Sequence, residues 1–109
     1  VGMPDKQGGS TPVNAKNVLN LVLAEDNKIY WWMELSPPVV STDYSSAGVR
    51  KLLLDKSSDN PRLIVLIKPK DRSRFQNVVD ILDEMEITGT ERFAIVDFSE
   101  DDRVMLQGR

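Results

Sequence analysis

The feature that most constrains the fold of this sequence is the order of three apolar segments within residues 62–97. Leu63–Ile67 is an apolar run rich in β-branched residues, and it is too short to be a buried helix. An amphipathic run over Phe75–Ile87 follows, and Phe93–Val96 is a second short apolar run. Two strands joined by a helix of this length run parallel with a right-handed crossover, so this order predicts a β-α-β unit with two buried strands.

The ends and the apolar face of the crossover helix are also predicted. Asp71 is placed to cap the first turn, and Gly89 supplies the left-handed residue that ends a helix. Spacings of three and four residues predict a buried stripe made of Phe75, Val78, Val79, Leu82 and Met85 or Glu86. The acidic side chains Asp80, Asp83 and Glu84 are then interpreted as part of a solvated helix face rather than as a metal site.

Upstream of this unit, alternating residues predict a β-hairpin. Val18–Ala24 and Lys28–Glu34 form its strands around a turn at Glu25–Asn27. Ser36–Pro38 is expected to end the pairing, because proline cannot donate to a strand ladder. A further helix is predicted over Ser45–Lys56, capped by Asp43 or Ser45 and with an apolar stripe at Val49, Leu52 and Leu53.

The predicted architecture is therefore a small two-layer α/β sandwich of order β-β-α-β-α-β, with an N-terminal hairpin, a parallel crossover and the helices on one face of the sheet. The segment Val104–Leu106 is expected to add a short edge strand or to fray. Residues 1–16 are predicted to be a flexible linker, because they are rich in glycine and proline and lack apolar periodicity. Residues 17–109 then form the folded domain.

Composition excludes several classes of function. The chain has 109 residues and no cysteine or histidine, which removes disulfides, thiol catalysis, imidazole acid–base chemistry and the usual zinc sites. The net charge of −3 gives no electrostatic case for nucleic acid. No nucleophile motif is present, so we expect no enzyme activity, no cofactor and no metal. Four cations within Lys68–Arg74 precede the crossover helix, but no glycine-rich cradle supports a phosphate site there.

Strand alternation separates the aromatic residues of the hairpin. Ile29, Trp31 and Met33 share one face of their strand, and Tyr30 and Trp32 share the other. The face with Tyr30 and Trp32 is either covered by a loop, such as the linker or Ser36–Thr42, or it is a binding or dimer face, since aromatic residues concentrate at interfaces. Both alternatives stay open at this point.

Three segments together resemble the ExbD/TolR family of biopolymer transport proteins. They are the hairpin beginning Val18-Leu19-Asn20-Leu21-Val22-Leu23, the strand Leu63-Ile64-Val65-Leu66-Ile67-Lys68-Pro69, and the helix segment Val78-Val79-Asp80-Ile81-Leu82-Asp83-Glu84-Met85 with Gly89 and the strand after it. The Tyr-Trp-Trp sequence of the hairpin resembles versions from the Bacteroidota. The resemblance covers about residues 12–104.

The resemblance implies an inner-membrane protein with one N-terminal transmembrane helix and a periplasmic domain, of which this chain is expected to be the excised soluble part. Such a protein works with an ExbB-like partner, uses the proton gradient and energises TonB. The proton-coupling aspartate of the family lies in the transmembrane helix, so no aspartate of this chain inherits that role. A TolR-like subunit is the alternative within the family, and a small-molecule sensor domain is the alternative outside it.

Two further expectations concern assembly. A sheet covered by only two helices is expected to bury its other face or an edge against a second copy, and the resemblance also implies a homodimer. The first strand is expected to lie at an edge or to exchange between chains, where it would accept an extended TonB-like segment as an added strand. The residues predicted to contact the partner are Leu19, Leu21, Leu23, Tyr30 and Trp32.

Overall fold

A computed structural model describes residues 15–70 and 75–107 of the chain. In chain order its elements are β1 (Val18–Leu23), β2 (Ile29–Met33), β3 (Ser36–Thr42), α1 (Lys51–Asp59), β4 (Ile64–Pro69), α2 (Phe75–Thr88), β5 (Phe93–Ile95) and α3 (Glu100–Met105). A 3-10 turn at Ala15–Asn17 precedes β1, and a π-helical turn at Ser46–Arg50 leads into α1. Most of the predicted linker and the predicted helix cap Asp71 lie outside the described residues.

The strands form one sheet with the order β3-β2-β1-β4-β5. β1 is antiparallel to β2 and parallel to β4, so that Leu21 is paired with Trp31 on one side and with Ile67 on the other. β4 is in turn parallel to β5. The predicted hairpin, the parallel crossover and the α/β sandwich are therefore confirmed. β1 lies at the centre of the sheet, however, and the expectation that it is an edge strand is wrong.

The main core lies between one face of the sheet and helices α1 and α2. It contains Leu19, Leu21, Leu23, Ile29, Val65 and Ile67 from the sheet and Val49, Leu53, Ile81 and Met85 from the helical side. Every one of these side chains is at most 1% exposed. Burial on this scale is the dominant stabilising contribution in a domain of this size.

The buried face of α2 confirms part of the predicted stripe, because Met85 is buried and Val78 and Leu82 pack against the main core. Asn77, Ile81, Glu84 and Met85 are buried, whereas Phe75 is 81% exposed. The buried positions follow helical spacing, but two of them are polar, and a pattern built on apolar residues alone skips them. Asn77 Nδ2 donates to Asn27 Oδ1 over 2.9 Å, and Glu84 pairs with Arg50. The interpretation of Glu84 as a solvated acid is therefore wrong, because a cation from another element neutralises it.

Helix α1 begins later than predicted because the chain makes a close turn before it. Gly48 has non-helical backbone angles, and a Cβ atom at that position would lie 2.1 Å from Asp43 Oδ1. The backbone N–H of Val49 donates to the Asp43 carbonyl over 2.8 Å, and the Asp43 side chain accepts from the Ser45 N–H over 2.9 Å. Asp43 thus holds this turn, and only glycine fits at the closest approach.

Three other elements correct the predicted order. The segment expected to end the hairpin at Ser36 is the edge strand β3, which tolerates proline because an edge strand needs a ladder on one side only. The segment expected as a strand or frayed end is the helix α3. The strand β5 was expected to be buried, but all three of its residues are exposed.

Helix α3 begins at a capping box. The Asp102 N–H donates to Ser99 Oγ over 3.2 Å, and the Ser99 N–H donates back to Asp102 Oδ2 over 2.9 Å. Three acidic residues lie in the first turn, where they interact favourably with the helix dipole. While α1 and α2 pack on one face of the sheet as predicted, the segment that includes α3 packs on the opposite face.

Candidate interaction surface

A second, smaller apolar cluster covers the face of the sheet opposite α1 and α2. Val22, Trp32 and Val39 come from the three strands β1, β2 and β3, and Leu106 follows α3. Tyr30, Phe98 and Met105 pack around them. We call this set of residues the aromatic cluster. Trp32 is only 3% exposed within it, and this face is covered in part by the segment Ser36–Thr42, as one of the two alternatives held, and in part by the C-terminal segment that includes α3.

An ion pair holds α3 against this face. Lys68 Nζ of β4 donates to Asp102 Oδ1 over 2.7 Å, and both residues are buried. The same ammonium group lies 5.5 Å from the centroid of the Trp32 ring, within the range of a cation–π interaction. One cation thus joins β4, β2 and α3.

The environment of Asp102 favours its ionised form. Burial raises the pKa of this carboxyl, but the hydrogen bonds from Lys68 and Ser99 and the charge of Lys68 outweigh burial and hold the pKa below its usual value of 3.8. A charged Asp102 and its partner Lys68 are therefore part of the folded state at neutral pH.

A polar position lies on the central strand beneath the aromatic cluster. Asn20 is fully buried, and its Nδ2 donates to Glu34 Oε1 over 2.9 Å. Its Oδ1 accepts no hydrogen bond from the described residues. An open groove of about 380 Å³ runs along this side, lined by Trp32, Glu34, Lys68, Ser99, Asp101, Asp102 and Met105. Its lining of charged side chains on both the sheet and α3 suits a polar contact better than a buried small molecule.

The predicted partner-binding residues do not form one surface. Leu19, Leu21 and Leu23 are fully buried in the main core, on the face toward α1 and α2. Tyr30 and Trp32 belong to the aromatic cluster on the other face. β1 is paired on both sides, so a partner strand cannot add to it in this arrangement. Strand addition at β1 would first require β1 to exchange between two chains. The prediction that these five residues contact a partner remains a prediction.

The cations before the crossover helix are only partly described. Lys68 is paired with Asp102, and Lys70 Nζ lies 3.5 Å from Glu25 Oε1. The rest of this cation group lies outside the described residues. Within residues 15–70 and 75–107, no group of three acidic side chains is arranged to hold a metal ion.

An ion pair between Arg50 and Glu84 links the π-helical turn to α2. Arg50 Nε donates to Glu84 Oε1 over 2.9 Å, and Nη2 donates to Oε2 over 3.0 Å. Such a two-bond pairing fixes the angle between the two elements as well as their distance. Nearby, burial raises the pKa of Tyr44 to about 12, with a further contribution from the charge of Asp80.

No helix among the described residues is long and apolar enough to cross a bilayer. No individually curated protein matches the sequence. The family model of the biopolymer transport protein ExbD/TolR matches residues 1–99, so its match ends immediately before α3. Because the match covers most of the chain, this chain belongs to the ExbD/TolR family, whose members are non-enzymatic subunits of energy-transducing transport complexes.

Proposed function

We propose that this chain is the periplasmic domain of an ExbD-like subunit, which works with ExbB-like and TonB-like proteins to energise transport across the outer membrane. The family match over residues 1–99 carries this proposal. In this assignment, residues 1–16 are the linker that follows an inner-membrane helix, and residues 17–109 are the periplasmic domain. The domain works by dimerisation and protein contact and needs no cofactor.

The composition supports a mechanical rather than a chemical role. The sequence contains no cysteine or histidine, and the charged side chains described above are used in structural ion pairs between elements. Two grooves on the described part of the chain, one beside α3 and one beside Gly89, are open to solvent rather than enclosed, which disfavours the sensor domain as an alternative. A TolR-like subunit that acts with a TolA-like protein has the same support from the family match.

Site-specific crosslinking in the full-length, membrane-anchored protein tests this proposal. A photoreactive phenylalanine analogue replaces Tyr30, which packs in the aromatic cluster, and the matched control replaces Tyr44, which packs against the main core. We expect position 30 to crosslink to a TonB-like protein or to a second copy, and we expect the TonB-like adduct to change when the proton gradient is collapsed.

The outcomes separate the alternatives. Adducts with a TolA-like protein would favour the TolR-like role. Adducts at neither position with any envelope protein, together with a strictly monomeric domain in sedimentation at high concentration, would refute the proposed function.

A further inference from the structure

The strand β5 leaves one edge of the sheet open among the described residues. The Arg92 carbonyl accepts from the Val65 N–H over 2.9 Å, and the Val96 N–H donates to the Ile67 carbonyl over 2.9 Å. In a parallel ladder, alternate residues point their backbone groups to the same neighbour, so those of Arg92 and Val96 point toward β4. The backbone N–H and carbonyl groups of Phe93 and Ile95 therefore point away from β4, toward the open edge.

The side chains of this edge are apolar and exposed. Phe93 is 40% exposed and Ile95 is 51% exposed, and the small residue Ala94 lies between them. Natural sheets protect an open edge with charged or proline residues, because unpaired backbone groups beside apolar side chains accept another strand. This strand carries neither.

The chain around β5 is strongly acidic. Residues 75–102 contain nine acidic side chains and one basic side chain, Arg92. Two of the acids are neutralised from other elements, Glu84 by Arg50 and Asp102 by Lys68. Glu100 lies 3.5 Å from Arg103, and the other acids leave this segment of the chain acidic, although the net charge of the whole chain is only −3. Glu91 lies just before β5 and Asp97 lies just after it, so acidic side chains flank the edge at both ends.

From these observations we propose that the β5 edge binds an extended, cationic segment of a partner protein by strand addition. Phe93 and Ile95 supply the backbone hydrogen bonds and the apolar contacts, while Glu91 and Asp97 pair with lysine or arginine residues of the added strand. The inference deepens the proposed function by giving a partner contact a location, and it rests on that function only for the identity of the partner.

A second copy of the chain fits this edge poorly. Two β5 strands related by a two-fold axis run antiparallel, and the register that pairs both Phe93 and Ile95 of each copy with the same two residues of the other places Phe93 opposite Ile95 of the second copy. The same register places Glu91 opposite Asp97 of the second copy, and like charges directly opposite each other are destabilising. A cationic segment avoids this repulsion and gains attraction at the same two positions.

An NMR titration of the full chain with a synthetic peptide tests the proposal. The peptide alternates valine and threonine and carries lysine residues at both ends, and the control peptide carries glutamate in place of lysine. We expect shifts at the amides of Phe93 and Ile95, slower hydrogen exchange at both, and weaker binding as salt is raised. The amide of Ala94, which faces β4, should change less.

A pair of variants provides the matched control. Ile95→Lys adds a cation to the exposed edge and should weaken binding of the lysine peptide by about tenfold or more. Leu35→Lys makes a similar change at a residue that is 65% exposed in the turn between β2 and β3, away from the edge, and should leave binding unchanged. Phe93→Lys serves as a second edge variant if Ile95→Lys does not fold.

Three results would overturn the proposal. The first is equal binding of the lysine and glutamate peptides, and the second is equal binding by the edge variants and Leu35→Lys. The third is slow hydrogen exchange at Phe93 and Ile95 before any peptide is added, because another part of the chain or a second copy would then already cover the edge. Each of these results concerns the β5 edge alone and leaves crosslinking at Tyr30 as a separate test of the proposed function.

Discussion

Replacing Asp102 by alanine removes one side of the buried ion pair that holds α3 on the sheet. The variant leaves the Lys68 ammonium, whose side chain is 11% exposed, without its 2.7 Å partner, and it removes the capping box at Ser99. Breaking a buried pair by removing one partner costs about 3–5 kcal/mol, and losing a helix cap costs about 1 kcal/mol. Lys68 lies near the surface and can turn toward solvent, so we expect a total loss of about 3 kcal/mol.

Urea unfolding followed by tryptophan fluorescence and circular dichroism measures this loss. A change of about 3 kcal/mol corresponds to a melting temperature lower by about 12–24 °C in a domain of this size. Asp101→Ala is the matched control, because Asp101 is an exposed neighbour in the same helical turn and its removal should change stability by less than about 0.5 kcal/mol. Equal stability of the two variants would refute the assignment of Asp102 as the residue that fastens α3.

The stability that Asp102 contributes also depends on pH, and it decreases in acid. The pKa of Asp102 is lower in the folded state than its usual value of 3.8, so the ion pair contributes fully above that value. The contribution is lost as the pH falls through the folded pKa, because the carboxyl becomes protonated. The stabilities of the wild-type chain and of Asp102→Ala should therefore converge in acid, and a constant difference down to low pH would contradict the ion-pair explanation.

Three other predictions follow from single positions. Ile81→Ala removes a fully buried side chain and should cost about 2–5 kcal/mol in urea unfolding, whereas Ile87→Ala, at a residue 56% exposed in the same helix, should cost less than about 0.5 kcal/mol. In a Tyr30→Phe variant, Tyr44 is the only tyrosine, and its absorbance should titrate near 12 in the folded state. Folding favours the neutral phenol, so stability falls as the pH rises from 10 through 12, and titration of the folded chain near 10 would contradict its burial. Gly89→Ala forces alanine to a φ of 69° with open space around it, so unfolding should show a loss of about 1 kcal/mol from backbone strain alone.

The sequence predicted the parts of the fold in which apolar residues alone decide the structure. Val65 and Ile67 lie in a continuous apolar run, and the strand they form was found with the predicted direction relative to its neighbour. The face of α2 was only partly predicted because Asn77 and Glu84 occupy buried positions through partners on distant elements. Such partners are set by the tertiary structure, so the period of the apolar residues could not show them.

Short elements were the other source of error. α3 has only six residues, three of them acidic, and the available signal was the pair Ser99 and Asp102 at capping-box spacing. The burial of Trp32 depends on α3 and so could not be predicted without it. Phe93 and Ile95 are exposed because β5 lies at the edge of the sheet. The order of the strands determines that position, and the local sequence of β5 does not reveal it.

The central position of β1 has a mechanical consequence. β1 is held by hydrogen-bonded ladders to β2 on one side and to β4 on the other, so a pulling force directed along β1 acts on both ladders. Tension along a strand loads both ladders in shear, so many bonds resist together, whereas a force across an edge strand opens them one at a time. Resistance to such a force is governed by the rate of unfolding rather than by equilibrium stability. Removing β1 from the sheet thus requires both ladders to break, which makes it the strand most firmly held against a force along its own axis.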